Sequence, residues 1–142
     1  MSTEATRETM TAYLRTLGER GPLARYFAND VTFTVMGGGQ QVRGPGAVEE
    51  FIRWFHEQAF DARPEFKATI IADSQATLEA EFVGQHIGEF FGVPASHRAV
   101  RVPYVVVYDL REGLITALRF YMPMNVLMEQ ISMPASPEVV GV

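Results

Sequence analysis

Three long runs in the second half of the chain do most to limit what this sequence can become: "QATLEAEFVGQHIG" (75–88), "RAVRVPYVVVYDL" (98–110) and "LITALRFYM" (114–122). In the first, Leu78, Ala80, Phe82, Gly84 and His86 share one face while Glu79, Glu81 and Gln85 share the other. That period of two belongs to a strand with one dry and one wet face. A fourth run, "EFKATIIAD", precedes them, and the separators are "SQ", "EFFGVPASH" and "REG". The last separator, with Gly113, has the length of a hairpin turn.

The first half carries a different period. "STEATRETMTAYLRTLGE" suits a helix, with Ser2 or Thr3 as cap, Glu4 and Glu8 near the positive end of the dipole, and Met10, Tyr13, Leu14 and Leu17 as its apolar stripe. Gly18 terminates it, and Pro22 opens a short second helix, "PLARYFAN". "DVTFTVM" alternates as a strand, and "GGGQQVRGPG" reads as a glycine-rich turn with room for one short strand. A third helix, "GAVEEFIRWFHEQAF", places Val48, Phe51, Ile52 and Phe55 on one face, and a last helical turn, "MNVLMEQI", closes the chain. Helices followed by a curved antiparallel sheet give an α+β layer architecture, and a sheet wrapped around a long helix leaves a pocket at its open end. Residues 1–131 are expected to form one domain and 132–142 a tail, without internal repeats.

Composition narrows the chemistry. There is no cysteine, so disulfides and thiolate sites are excluded. Twelve basic residues against seventeen acidic ones, net charge −5, form no basic cluster, and nucleic acid is not an expected partner. No stretch approaches the roughly 20 apolar residues of a membrane span, and the polar start "MSTEATRETM" lacks a signal sequence's apolar core. A cytoplasmic protein with no membrane contact is expected.

The stretches "YFANDVTFTVMGGGQQVRGPGAVEEFI", "FVGQHIGEFFGVPASHRAVRVPYVVVYDLREGLITALRFY" and "NVLMEQI" resemble the SnoaL-like polyketide cyclase group of the nuclear transport factor 2-like superfamily. The resemblance spans about Thr9 to Ile131. It implies a cone-shaped α+β barrel with an apolar cavity and a homodimer formed through the outer sheet face. Relatives include ring-closing cyclases, ketosteroid isomerases, epoxide hydrolases, dehydratases and non-catalytic members, so function has to be argued from the pocket. Ketosteroid isomerases carry an aspartate base near the end of the first strand, where this chain has Val35-Met36-Gly37. Many cyclases and epoxide hydrolases carry one near the end of the last strand, where it has Arg119-Phe120-Tyr121-Met122-Pro123-Met124.

The candidate catalytic residues are His86, Arg101 and Tyr121. His86 falls on the apolar face, with Gly84 and Gly88 leaving space around an imidazole able to move protons near neutral pH. Arg101, if inward, supplies a cation for an enolate, with Glu81 or Asp109 as partner; if outward, it belongs to the dimer face. Tyr13, Trp54, Tyr104 and Tyr121 offer hydrogen bonds to a carbonyl ligand, and each is equally suited to the core. Met36, Phe82, Phe91, Phe120 and Met122 complete an expected lining for a flat hydrophobic ligand. His56, beside Glu57, reads as a surface residue and His97 as a turn residue. With no close spacing among the histidines, neither a metal nor a cofactor is expected. "GGGQQVRG" lacks the lysine of a phosphate loop, and Ser74, Ser96 and Ser132 sit in no nucleophile elbow. The expected function is cofactor-free cyclisation or isomerisation of a hydrophobic carbonyl compound. A non-catalytic carrier or an interaction module are the alternatives.

Overall fold

The computed structural model describes residues 1–132. In chain order these form α1 (Thr3–Gly18), a 3-10 turn (Ala24–Tyr26), β1 (Phe27–Val35), β2 (Gln40–Arg43), α2 (Pro45–Arg53) with a π-helical extension (Trp54–Ala59), β3 (Phe60–Ala72), β4 (Gln75–His86), β5 (Ala99–Arg111), β6 (Leu114–Tyr121) and α3 (Met124–Ser132). Apart from Ser132, the expected tail lies outside the described residues. No helix among the described residues is long and apolar enough to cross a membrane.

The six strands form one unclosed sheet in the order β2-β1-β6-β5-β4-β3. It is mixed rather than antiparallel throughout, because β1 runs parallel to β6. Short turns force β3 to β4 and β5 to β6 antiparallel, but no turn joins β1 to β6, so their direction follows from packing. The β5–β6 turn is the two-residue loop Glu112-Gly113, both at positive φ (+52° and +84°), the geometry that matches strand twist. β3, whose sequence pattern begins at Glu65, starts earlier in the structure, at Phe60. Pro64 lies inside it without harm because β3 is an edge strand, where a missing N–H breaks no ladder.

The expected helix "PLARYFAN" shrinks to a single 3-10 turn, since Phe27 and Ala28 are claimed by β1. The first helix is capped as its sequence asks, with the Ser2 hydroxyl accepting from the Ala5 N–H at 3.1 Å. The core lies between the concave sheet face and the helices, where Phe55 stacks on Phe82 at 4.3 Å and Tyr13 meets Tyr108 edge-on at 5.8 Å. The far end of β5 extends past β6, and there the Gln130 side chain of α3 takes the place of a strand. It accepts from the Arg101 N–H at 2.8 Å and donates to the Arg101 carbonyl at 3.0 Å.

Candidate functional site

Between α1, α2 and the sheet lies an inner cavity of about 30 Å³. Tyr13 and Leu17 come to it from α1, Ile52, Phe55 and His56 from the second helix, and Phe82, Tyr104, Tyr108 and Phe120 from the strands. Among the described residues its polar side chains are three phenols and one imidazole, with no carboxylate. A water needs roughly 10–15 Å³ by this measure, so the space admits about two waters' worth of ligand without movement. A narrow throat walled by Phe51, Trp54, Phe90, Phe91 and Phe120 separates it from an open groove of about 640 Å³ bounded by Met36, Gly37–Gly39, Phe91, Met122 and Met124.

His56 reaches the cavity because the α-helix widens into a π turn after Arg53, a local irregularity common at functional sites. Its Nδ1 lies 2.8 Å from the Ile52 carbonyl. A carbonyl can only accept, so Nδ1 carries the proton and Nε2 holds a free lone pair. That nitrogen is shielded from solvent and has no hydrogen-bond partner among the described residues. Burial is the largest influence and holds the imidazole below the ordinary histidine range; the Ile52 carbonyl opposes it in part, and the Arg20 cation, which lowers, and Glu57, which raises, act more weakly. The result is a neutral base in an apolar wall.

The three phenols complement it. Burial raises the hydroxyls of Tyr13, Tyr104 and Tyr108 above the ordinary tyrosine range, and for Tyr13 and Tyr108 neighbouring phenols add to the effect. They therefore stay protonated at any physiological pH and are available as hydrogen-bond donors. Together these groups combine proton acceptance with carbonyl polarisation in a dry enclosure, the arrangement enolisation requires.

Of the residues expected from sequence, Tyr13, Phe82, Tyr104 and Phe120 line the cavity; Trp54 stands in the throat; Met36 and Met122 line the groove, and Phe91 touches both throat and groove. His86 faces inward and is fully buried, but it does not line the cavity. Its Nδ1 accepts from the Ser96 N–H (3.1 Å) and the Ser96 hydroxyl (2.8 Å), so its proton sits on Nε2, the opposite tautomer from His56. Gly84 and Gly88 do not make room for this ring. A Cβ on Gly84 would stand 2.1 Å from the Asp61 carbonyl oxygen, and one on Gly88 2.4 Å from that of Gln58. They let β4 close against β3 and the π turn.

Arg101 points away from the cavity, to the outer sheet face, and pairs there with Glu65 (3.1 Å) and Glu81. It alternates with buried Val100 and Val102, so inward placement is barred by strand period. Tyr121 is 44% exposed on the same outer face, next to inward Phe120. His97 lies exposed in a turn.

The residues missed in the sequence are His56, Tyr108 and Arg20. His56 is four positions after Ile52 and eight after Val48, on the apolar stripe itself, and its neighbour Glu57 masked that spacing. Tyr108 continues the inward series Val102, Tyr104, Val106.

The sequence profile of SnoaL-like polyketide cyclases matches residues 5–131. A SnoaL-like polyketide cyclase candidate from Jannaschia sp. CCS1 superposes with TM-score 0.82 at 20% identity, covering 92% of this chain and 94% of that one. TsrD from Streptomyces laurentii gives 0.77 at 18% identity, with 94% and 99% covered, and a candidate ketosteroid isomerase from Kribbella flavida DSM 17836 gives 0.67 at 17%, with 97% and 84% covered. At these identities the superpositions show a shared α+β cone fold. No curated protein matches the sequence.

Proposed function

The chain belongs to the SnoaL-like polyketide cyclase family, and on that premise we propose that it is a cofactor-free cyclase or isomerase of a hydrophobic carbonyl compound, with His56 as its base. The supporting observation is the pairing of an unprotonated, shielded Nε2 with three phenol donors in one apolar enclosure. The substrate enters from the methionine-lined groove, and the aromatic rings of the throat move aside to enlarge the inner cavity, since drug-sized ligands occupy roughly 300–1,000 Å³. A phenol hydroxyl donates to the substrate carbonyl while Nε2 takes the proton that enolisation releases. The resulting enolate closes on a second carbonyl of the same molecule, or is reprotonated at another carbon. Alignment within the pocket supplies much of the acceleration. A second copy docks on the outer sheet face, where Pro103, Val105, Val107 and Tyr121 form an apolar strip.

The test uses an enolisable apolar ketone, 2-tetralone, in D2O, with α-proton exchange followed by NMR. The wild-type protein accelerates exchange, and His56→Gln loses at least about 100-fold, the lower range for a general base. Equal exchange in the two proteins removes His56 from the chemistry. That no described residue brings a carboxylate to the lining favours a second reading, a carrier of the same ligands; it predicts ketone binding with no accelerated exchange in either protein.

A further inference from the structure

Behind the inner cavity, and sharing Leu17, Ile52 and His56 with it, is a second pocket of about 10 Å³, room for one oxygen atom. Two of its lining residues carry buried polar atoms without partners among the described residues. Arg20 Nε–H is a donor, and His56 Nε2, with its proton committed to Nδ1, is an acceptor. Buried polar groups are almost always paired, so each calls for an explanation. Their needs are complementary, and a hydroxyl group is the species that accepts from one and donates to the other.

Arg20 is held for this role. It follows the end of α1 in the left-handed region (φ +58°), a conformation that costs an L-residue about 1–2 kcal/mol and usually falls to glycine. Its Nη2 is tied to Asp61 Oδ1 at 2.7 Å, the Ala62 carbonyl at 2.9 Å and the His56 carbonyl at 3.3 Å. Those bonds use one end of the guanidinium and leave Nε to the pocket. The other charged groups around it are already engaged. Arg53 meets Glu57 at 3.1 Å and the Gly21 carbonyl at 3.0 Å, and Arg63 meets the Gly18 carbonyl at 3.1 Å.

We propose that Arg20 Nε and His56 Nε2 form a buried recognition site for a single hydroxyl group. In the resting protein the hydroxyl is that of a water. In the loaded protein it belongs to a phenol or enol on the ligand that fills the adjoining cavity. This deepens the catalytic reading and rests on it for the second occupant: the proton passing to Nε2 is then an enol O–H proton. The O–H electron pair delocalises to the enol carbon, which becomes the nucleophile, and the Arg20 Nε–H remains bonded to the oxygen. Arg20 acts as a positioning residue for the hydroxyl, and the favoured substrates are hydroxylated aromatic or enolised 1,3-dicarbonyl compounds rather than plain ketones.

Two measurements test this. A near-atomic-resolution crystal structure of the ligand-free protein should show one oxygen within hydrogen-bond distance of both nitrogens; none there overturns the site. Calorimetry then compares phenol, anisole and benzene. Phenol should bind the wild type at least about tenfold tighter than the other two, a preference worth one good hydrogen bond. It should fall to within about twofold in His56→Phe, and shrink in Arg20→Lys, which keeps the charge but lacks Nε–H. A phenol preference that persists undiminished in His56→Phe overturns the assignment. Phenol binding no better than anisole, with the oxygen present in the crystal, leaves water as the occupant and overturns the ligand half of the proposal. None of these readouts uses turnover, so loss of ketone exchange with an intact phenol preference refutes the catalytic reading alone.

Discussion

His56, half-buried on the helix side of the core, and His86, fully buried at the end of β4, have surroundings that assign them opposite work. At His86 two donors from Ser96 fill Nδ1, the backbone before and after it is paired, and glycines let the strands press together. At His56 a carbonyl fixes the proton on Nδ1 and leaves Nε2 bare beside a cavity. Burial lowers the proton affinity of both rings. Each ring keeps one nitrogen without a partner among the described residues, but at His86 it is the protonated Nε2, and only His56 offers a free lone pair. Being buried on the apolar face does not make a histidine a base. The partner of its first nitrogen decides.

The largest expected effect lies at the His86 end. Gly84→Ala forces a methyl into backbone atoms of Asp61 and Ala62, and should cost about 4 kcal/mol or more by urea denaturation, or prevent folding. A loss below about 1 kcal/mol would show that this end yields, and would break the contrast with the His56 end. His86→Ala should follow at about 2–4 kcal/mol, from lost packing against Phe60 and the stranded Ser96 groups. The folded fraction should still exchange 2-tetralone protons at the wild-type rate. His56→Gln sharpens the comparison from the other side: stability within about 1.5 kcal/mol of wild type, with exchange nearly gone.

The pH response separates the two further. Both folded-state affinities lie below the unfolded value of about 6.5, so below that pH the unfolded chain binds more protons than the native one. Stability should be full above about pH 6.5 and fall as pH drops from there toward the lowered native values. Chemical denaturation between pH 7.5 and 5 should show this decline, and His56→Phe should make it shallower; an unchanged slope would mean His56 is not buried neutral. The smallest effect belongs to Arg101→Ala on the outer face, expected to leave the urea midpoint close to wild type because its ion pairs are exposed and screened, and without effect on exchange.

Much of the architecture was legible because local rules govern it. The alternation in β4, β5 and β6, the stripe of α1, the Ser2 cap and the Glu112-Gly113 turn each depend on residues a few positions apart. The same alternation sent His86 inward, as the sequence required, and kept Arg101 out of the cavity. What failed was anything needing distant neighbours. Gly84 and Gly88 looked like space around a ring, and only the approach of Asp61 and Gln58 shows that they are contact points. The π turn that brings His56 to the cavity has no sequence signal of its own.

Sequence alone determined the α+β class, the inward face of each long strand and the family, since periodicity and motif spacing are written along the chain. Tertiary structure decided the parallel pairing of β1 with β6, the volume left inside, and which histidine keeps a free lone pair. Those depend on which groups meet across the fold, and a hydrogen bond to one ring nitrogen fixes what the other is able to do.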